Sequence, residues 1–227
     1  SFPTRTLFRS QNLVTDNGDK GIVTYDNYLA VFYPNGFTTD LGGYNAVVPA
    51  SHMMLKTITL SDNVSYPWFA PAGTRRGNIT NATAVGYIDT VSGEFQTVAL
   101  NNGQRDTLYD LKINPIAFFN GVGLVNYGQK TRDPNASALD RINVARLVVY
   151  LRSQLNKLAR PYIFEPNDKI TRDEIKQSVE SLLLELVGLR ALYDFAVVCD
   201  ESNNTASRID RNELWVDIAI SPVKAVE

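Results

Sequence analysis

Two different hydrophobic periods run through the second half of the chain. Ile142, Ala145, Val148, Val149, Leu151, Leu155 and Leu158 recur every three or four positions, which predicts a helix from about Asp140 to Leu158. Arg141, Arg146, Arg152 and Lys157 then point largely outward, and Pro161 ends the helix. Ile175, Val179, Leu182, Leu183, Leu186 and Val187 predict a second helix, with Thr171 and Glu174 as a capping box and Gly188 as its exit. The run Ala191 to Cys199 reads as a strand. After it the period falls to two: Leu214, Val216, Ile218 and Ile220 share one face, and Glu213, Trp215, Asp217 and Ala219 the other, the pattern of a half-buried strand.

The first half is more broken. Residues 1 to 27 are polar, with a turn at Asp16-Asn17-Gly18-Asp19 and room for a short strand or two. Tyr28 to Tyr33 is a nearly continuous apolar run stopped by Pro34-Asn35-Gly36, which predicts a central strand covered on both faces. Pro49 opens a helix to about Leu60, with Met53, Met54, Ile58 and Leu55 turned inward. Strand signals follow at Ala84 to Ile88 and Phe95 to Leu100, and a short helix at Gln104 to Leu111. Ile113 to Phe119 and Val122 to Tyr127 flank Asn120-Gly121, a pair suited to a tight hairpin. Hairpin, helix, helix, strand, strand is an α+β module, and the preceding half reads as the end of a mixed α/β layer, so the fold class is α+β with mixed sheets packed on helices.

Between the halves of that layer lies Ser65-Tyr-Pro-Trp-Phe-Ala-Pro-Ala-Gly-Thr-Arg-Arg-Gly77. Pro67 and Pro71 restrict the backbone, Gly73 and Gly77 permit turns, and Trp68 and Phe69 are large anchors, so the stretch predicts a rigid, non-helical corner with solvated Arg75 and Arg76 at its exit.

Composition narrows the function. The 227 residues are 44% hydrophobic and 20% charged with a net charge of -2, an ordinary globular balance without the positive surplus of a nucleic-acid binder. No apolar run approaches the roughly 18 residues of a membrane span, and no signal peptide opens the chain. Asn-x-Ser/Thr at Asn63, Asn78, Asn81, Asn135 and Asn203 reads as coincidence in this asparagine-rich chain. The single cysteine, Cys199, excludes an intrachain disulfide.

Catalytic chemistry is missing from the sequence. His52 is the only histidine, and its neighbour Ser51 would point away from it on a helix, so no Ser-His-acid or Cys-His arrangement and no zinc site is expected. Cys199 reads as a small buried thiol at a strand end. Asp168, Asp173 and Glu174 suit the dipole at a helix start, and Asp200, Glu201 and Asp210 lack calcium-loop spacing and read as a solvated turn. Gly121-x-Gly123 has no third glycine and opens a strand, so no nucleotide is expected. No cofactor and no metal is expected.

The Pro-Trp corner with its Arg-Gly exit resembles contractile-tail sheath proteins of bacteriophages and related injection machines. Val48-Pro-Ala-Ser-His52, Ile113-Asn-Pro-Ile116, Asp140-Arg-Ile-Asn-Val-Ala-Arg-Leu147, Phe164-Glu-Pro-Asn-Asp168, Cys199-Asp200 with Asn203-Asn-Thr205, and Ile209-Asp210 resemble the family in the same order. The resemblance implies a structural subunit, not an enzyme, that stacks in rings around an inner tail tube and contracts to drive it through the host envelope. It implies as partners further copies of itself, the tube protein, the baseplate and the tail terminator, with no direct nucleic acid and no membrane insertion. Its place would be the virion, after assembly in the host cytoplasm. It divides the chain into residues 1–108, the end of an α/β sheath domain containing the corner, and residues 109–227, a C-terminal α+β sheath domain.

Within that resemblance Pro67, Trp68, Pro71, Gly73, Arg76, Gly77, Asp140, Arg141 and Arg146 are motif residues, the last three expected to pair at a helix start. Arg172, Asp173 and Lys176 are the expected contacts with the tube. Family members begin with a longer N-terminal portion and continue into a final apolar strand, so the expectation is a trimmed core, monomeric by itself. The alternatives are an α/β enzyme domain of unknown chemistry, a general binding module, or the sheath of a phage-like injection system.

Overall fold

The computed structural model describes residues 25–226, so the expectations for residues 1–24 lie outside the described residues. The chain forms two compact units, Ser1–Ala145 and Arg146–Glu227. The class is α+β with mixed sheets and helices.

In the first unit, strands β1 (Val31–Tyr33), β6 (Ile113–Phe119) and β7 (Gly123–Asn126) form one sheet in the order β1-β6-β7, with β1 parallel to β6 and β7 antiparallel to it. Strands β2 (Asn35–Thr39), β3 (Asn45–Val48), β4 (Ala84–Ile88) and β5 (Phe95–Thr97) form an antiparallel sheet in the order β3-β2-β4-β5. Helix α1 (Ala50–Val64) buries Ala50, Met53 and Met54 against Ile79, Val85, Ile116 and Leu124, with Phe32, Val48, Ile58 and Ala82 at the margin.

Several expectations change here. The run ending at Tyr33 is an edge strand of three residues, not a central strand; the central place belongs to β6, whose residues Ile113 to Ala117 are all buried. Asn35-Gly36, read as a turn, begins β2, because Gly36 lets α1 approach: Met53 Sδ occupies the space where a Cβ would stand. Pro49 is the cap of α1, which runs four residues past Leu60, and Leu55 faces solvent while Thr57 and Ser61 are buried. Strand β5 stops at Thr97.

The short one-turn helix α2 (Gly73–Arg76) occupies the exit of the corner, so that stretch is not wholly non-helical. Helix α3 (Asn102–Asp110) starts earlier than expected because Asn101 and Gln104 form a capping box. The β6–β7 hairpin turns through Asn120, Gly121 and Val122, a three-residue loop with Gly121 at φ 81°. Through β6 this hairpin joins β1, so it lies in the first unit, whereas the sequence reading opened the second module with it at residue 109.

Helix α4 (Ile142–Ala159) starts in the first unit, after a 3-10 turn at Ala138–Asp140. Ile142, Val144, Ala145, Leu147 and Leu151 are buried, Arg141 and Arg146 are half-buried instead of outward, and Val149 is 52% exposed. In the second unit, helix α5 (Lys169–Gly188) packs on strand β8 (Leu192–Val198), which pairs antiparallel with β9 (Asp217–Pro222); the one-turn helix α6 (Ala206–Ile209) lies between them in sequence. The N-cap of α5 is Asp168, whose Oδ1 accepts from Thr171 N at 2.8 Å, so Thr171 is a buried first-turn residue and not the cap. Strand β9 alternates exposed and half-buried as the period of two implies, though pairing begins only at Asp217.

Candidate interaction surfaces

The corner in the first unit is built from the backbone outward. Trp68 is buried, and Tyr66 stacks on its ring at 4.7 Å and 6°. Asn143 Nδ2 donates to Trp68 O at 3.4 Å, Arg76 Nε to Ala70 O at 3.2 Å, and Asn126 Nδ2 to Pro71 O at 2.9 Å. The Arg76 guanidinium also lies 4.9 Å from the centre of the Phe69 ring, so it clamps the corner, while Arg75 is exposed. Gly77 N bonds Gly73 O at 2.8 Å, and Asn126 N bonds Gly77 O at 2.8 Å. A Cβ on Gly77 would meet Asn126 O at 2.7 Å and Ala72 C at 2.8 Å, which explains why glycine stands there. Asp140 Oδ2 and Arg141 Nη1 pair at 2.9 Å just before α4.

In the second unit, the start of α5 meets the loop after β8. Arg172 is only 6% exposed; Nη1 donates to Asn167 Oδ1 at 3.0 Å and to Asn167 O at 3.3 Å, and Nη2 lies 4.0 Å from Glu201 Oε1. Its place is legible in the helix period, because Arg172 precedes Ile175 by three and Val179 by seven and so shares their stripe. The guanidinium therefore organises the interior, whereas Asp173 is exposed and Lys176 half-buried. Lys169, Arg172, Asp173, Cys199, Asp200, Glu201 and Ser202 line a cleft of about 360 Å³.

The loop itself is held by two asparagines that sequence reasoning noted only as part of a motif. Asn203 Nδ2 donates to Val198 O (2.8 Å), Trp215 O (3.2 Å) and Asp217 Oδ2 (3.0 Å), and its Oδ1 accepts from Asp200 N (3.0 Å). Asn204 Oδ1 accepts from Trp215 N at 2.8 Å, and Arg208 packs over the Trp215 ring at 4.0 Å while donating to Asn203 O. Asp200 Oδ1 accepts from the hydroxyl and amide of Ser202, which hold its carboxyl below the usual range. Burial pushes the Cys199 thiol up, away from nucleophilic reactivity. Backbone donation from Thr171 likewise lowers the Asp168 carboxyl.

His52 is exposed on the first turn of α1. Among the described residues no group of three or more His, Cys, Asp or Glu could hold a metal ion, and no helix is long and apolar enough to cross a membrane. Strands β8 and β9 pair only with each other among the described residues, so each leaves one edge unpaired.

Residues 135–227 match the family described as phage tail sheath C-terminal domain. Over 182 residues, 80% of this chain, the sequence is 39% identical to the tail sheath protein of Vibrio phage KVP40 and 34% identical to that of Enterobacteria phage T4. Residues 135–227 are thus a phage tail sheath C-terminal domain, and the chain is similar to phage tail sheath proteins over four-fifths of its length. It spans about a quarter of those relatives, 26% of each. Its fold overlays the anti-feeding prophage helical sheath in its contracted state with a TM-score of 0.77 at 23% identity, covering 94% of this chain and 57% of that one. It also overlays the contracted PVC sheath complex of an extracellular contractile injection system, with a TM-score of 0.75 at 19% identity, covering 89% and 54%. Of the sheath motifs quoted above, residues 48–52 fall at the start of α1 and residues 113–116 in β6, while others fall on the corner, the start of α4, the start of α5 and the Asn203-Asn204 loop, where they serve as caps and clamps.

Proposed function

We propose that the chain is part of the subunit of a contractile phage tail sheath, a structural and not a catalytic protein, whose copies polymerise helically around an inner tube and rearrange to drive it through the host envelope. The 39% identity over 182 residues to a phage tail sheath protein carries this reading. The open edges of the β8–β9 ribbon support it: extended arms of neighbouring copies can add strands there, and main-chain hydrogen bonds hold while subunits shift. The partners are further copies, the tube protein, the baseplate and the tail terminator, and the place is the virion.

The tube contact falls at the start of α5, through Asp173 and Lys176, with buried Arg172 fixing the turn beneath them. Charge reversal at Asp173 and Lys176 in the full-length protein should impair co-assembly with the tube; unchanged tails would remove that assignment. The broader test replaces the matching segment of the KVP40 sheath protein by this chain. Contractile tails are expected, and tube-only tails despite a soluble chimera would refute the reading. The likeness in fold to the anti-feeding prophage and PVC sheaths favours a second setting, a contractile injection system, which microscopy of the source particles distinguishes.

A further inference from the structure

Charge is segregated within the C-terminal part of the chain. Residues 141–160 carry Arg141, Arg146, Arg152, Lys157 and Arg160 and not one Asp or Glu, whereas residues 161–227 carry thirteen acidic and seven basic residues. From its middle to its end α4, with the first residue of the 3-10 turn that follows it, turns one face outward: Val149, Arg152, Ser153, Asn156, Lys157 and Arg160 are all exposed and fall within about 140° of one another at 100° per residue. Val149, uncovered among the described residues, lies near the middle of that arc with cations on either side, the layout of an apolar centre with a charged rim.

The outer face of the β8–β9 ribbon has the opposite character. Its inner face holds the Phe195–Ile220 and Val197–Ile218 pairs, and its outer face holds Ala196 opposite Ala219, flanked by Asp194 opposite Ser221 and Asp217 opposite Val198. Small side chains at the centre leave a shallow bed, and an exposed carboxylate stands at each end. The two ends are four residues apart along the ribbon, about 13 Å. Arg152 on α4 and Arg160, the first residue of the 3-10 turn that directly continues it, are eight residues apart, about 12 Å. Asp194 and Asp217 each give one oxygen to a local hydrogen bond, to Phe195 N and Asn203 Nδ2.

We propose that the outer face of the C-terminal half of α4 on one copy docks on the outer face of the β8–β9 ribbon of another copy. Two different patches of one chain that fit each other make a head-to-tail contact, which builds rings or open helices and not closed pairs. The proposal rests on the sheath reading for the premise that copies assemble, and it is separate from strand addition, which uses the edges of the ribbon and not its face. Complementary charge also makes the contact salt-sensitive, so it can be exchanged while the units stay folded.

The test uses the full-length sheath polypeptide expressed without tube, followed by sedimentation and electron microscopy. The wild type should polymerise; Arg152→Glu with Lys157→Glu and Arg160→Glu should remain as free subunits with an unchanged circular dichroism spectrum. Adding Asp194→Lys and Asp217→Lys to that variant should restore polymer. Independently, Asn156→Cys with Ala219→Cys should give disulfide-linked ladders of copies under oxidation, with Cys199 buried and silent. Polymers unchanged by the reversal, or an absence of ladders from otherwise normal polymer, overturn the proposal. So does a reversal that fails only when tube is present, which would assign the face to the tube, or one whose sole effect is to abolish retention on double-stranded DNA. A wild type that never polymerises would sink the sheath reading itself.

Discussion

Replacing Asn204 by alanine should unfold the second unit at markedly lower denaturant. Asn204 is 2% exposed, and its Nδ2 shares two hydrogens among Asp200 O (3.2 Å), Trp215 O (2.9 Å) and Asn203 Oδ1 (2.9 Å), while its Oδ1 accepts from Trp215 N (2.8 Å). With three bonds lost at about 1 kcal/mol each, the expected cost is about 3 kcal/mol, and the Trp215 amide, which loses Asn204 Oδ1 as its acceptor, keeps it from being smaller. At a denaturant slope of about 1.5 kcal/mol per molar urea, the midpoint falls by about 2 M. Trp215 reports on the site directly: with Trp68→Phe as background it is the one remaining tryptophan of the two, so its fluorescence follows the loop. Asn204→Asp separates hydrogen bonding from mere filling of space. It keeps the acceptor for Trp215 N but turns a carboxylate towards two carbonyls, so it should be at least as damaging at pH 7 and should recover in acid, where the carboxyl regains a donor. A midpoint for Asn204→Ala within about 0.3 M of the parent would refute the claim that this side chain holds the loop.

Three further outcomes are expected. Gly36→Ala forces Met53 out of its place and should cost about 1–3 kcal/mol, read as a lower thermal midpoint; an unchanged midpoint would show that α1 shifts freely. Arg172→Ala should destabilise the fold while Asp173→Lys should not, because Arg172 is buried against Asn167 and Asp173 is exposed; equal effects in urea titrations would place both residues on the surface. The Asp168, Asp200 and Glu213 carboxyls all sit below their ordinary values, held first by the amide of Thr171, the hydroxyl of Ser202 and the guanidinium of Arg211. Stability from these groups is present above about pH 5 and is lost as pH falls through their lowered values, and Asp168→Asn should flatten that acid limb; an identical acid titration would exclude Asp168 as a contributor.

Helical periodicity was the most legible feature of the sequence because one buried stripe dictates it. The stripes of α4 and α5, the β6–β7 hairpin and the alternation in β9 all appear close to where the pattern puts them. What a linear pattern does not carry is which neighbour covers a segment. Tyr28 to Tyr33 is apolar enough for a central strand, yet β6 takes that place and leaves Tyr28 47% exposed. Val149 follows Val148 by 100° of helical rotation, enough to carry it off the buried face. At the interaction sites the motif residues were visible but their tasks were not. The helix period puts Arg172 on the buried stripe, but its bonds to Asn167 show only in the fold, and Asp168 outcompetes Thr171 as cap because its carboxylate reaches the Thr171 amide.

The three side-chain donors at the corner all end on main-chain oxygens, those of Trp68, Ala70 and Pro71. Two of those donors, Asn126 and Asn143, lie outside the stretch and only Arg76 within it, so grafting Ser65–Gly77 alone into another protein would not transplant its shape. Carried across with Asn126 and Asn143, the same thirteen residues would have something to hold on to.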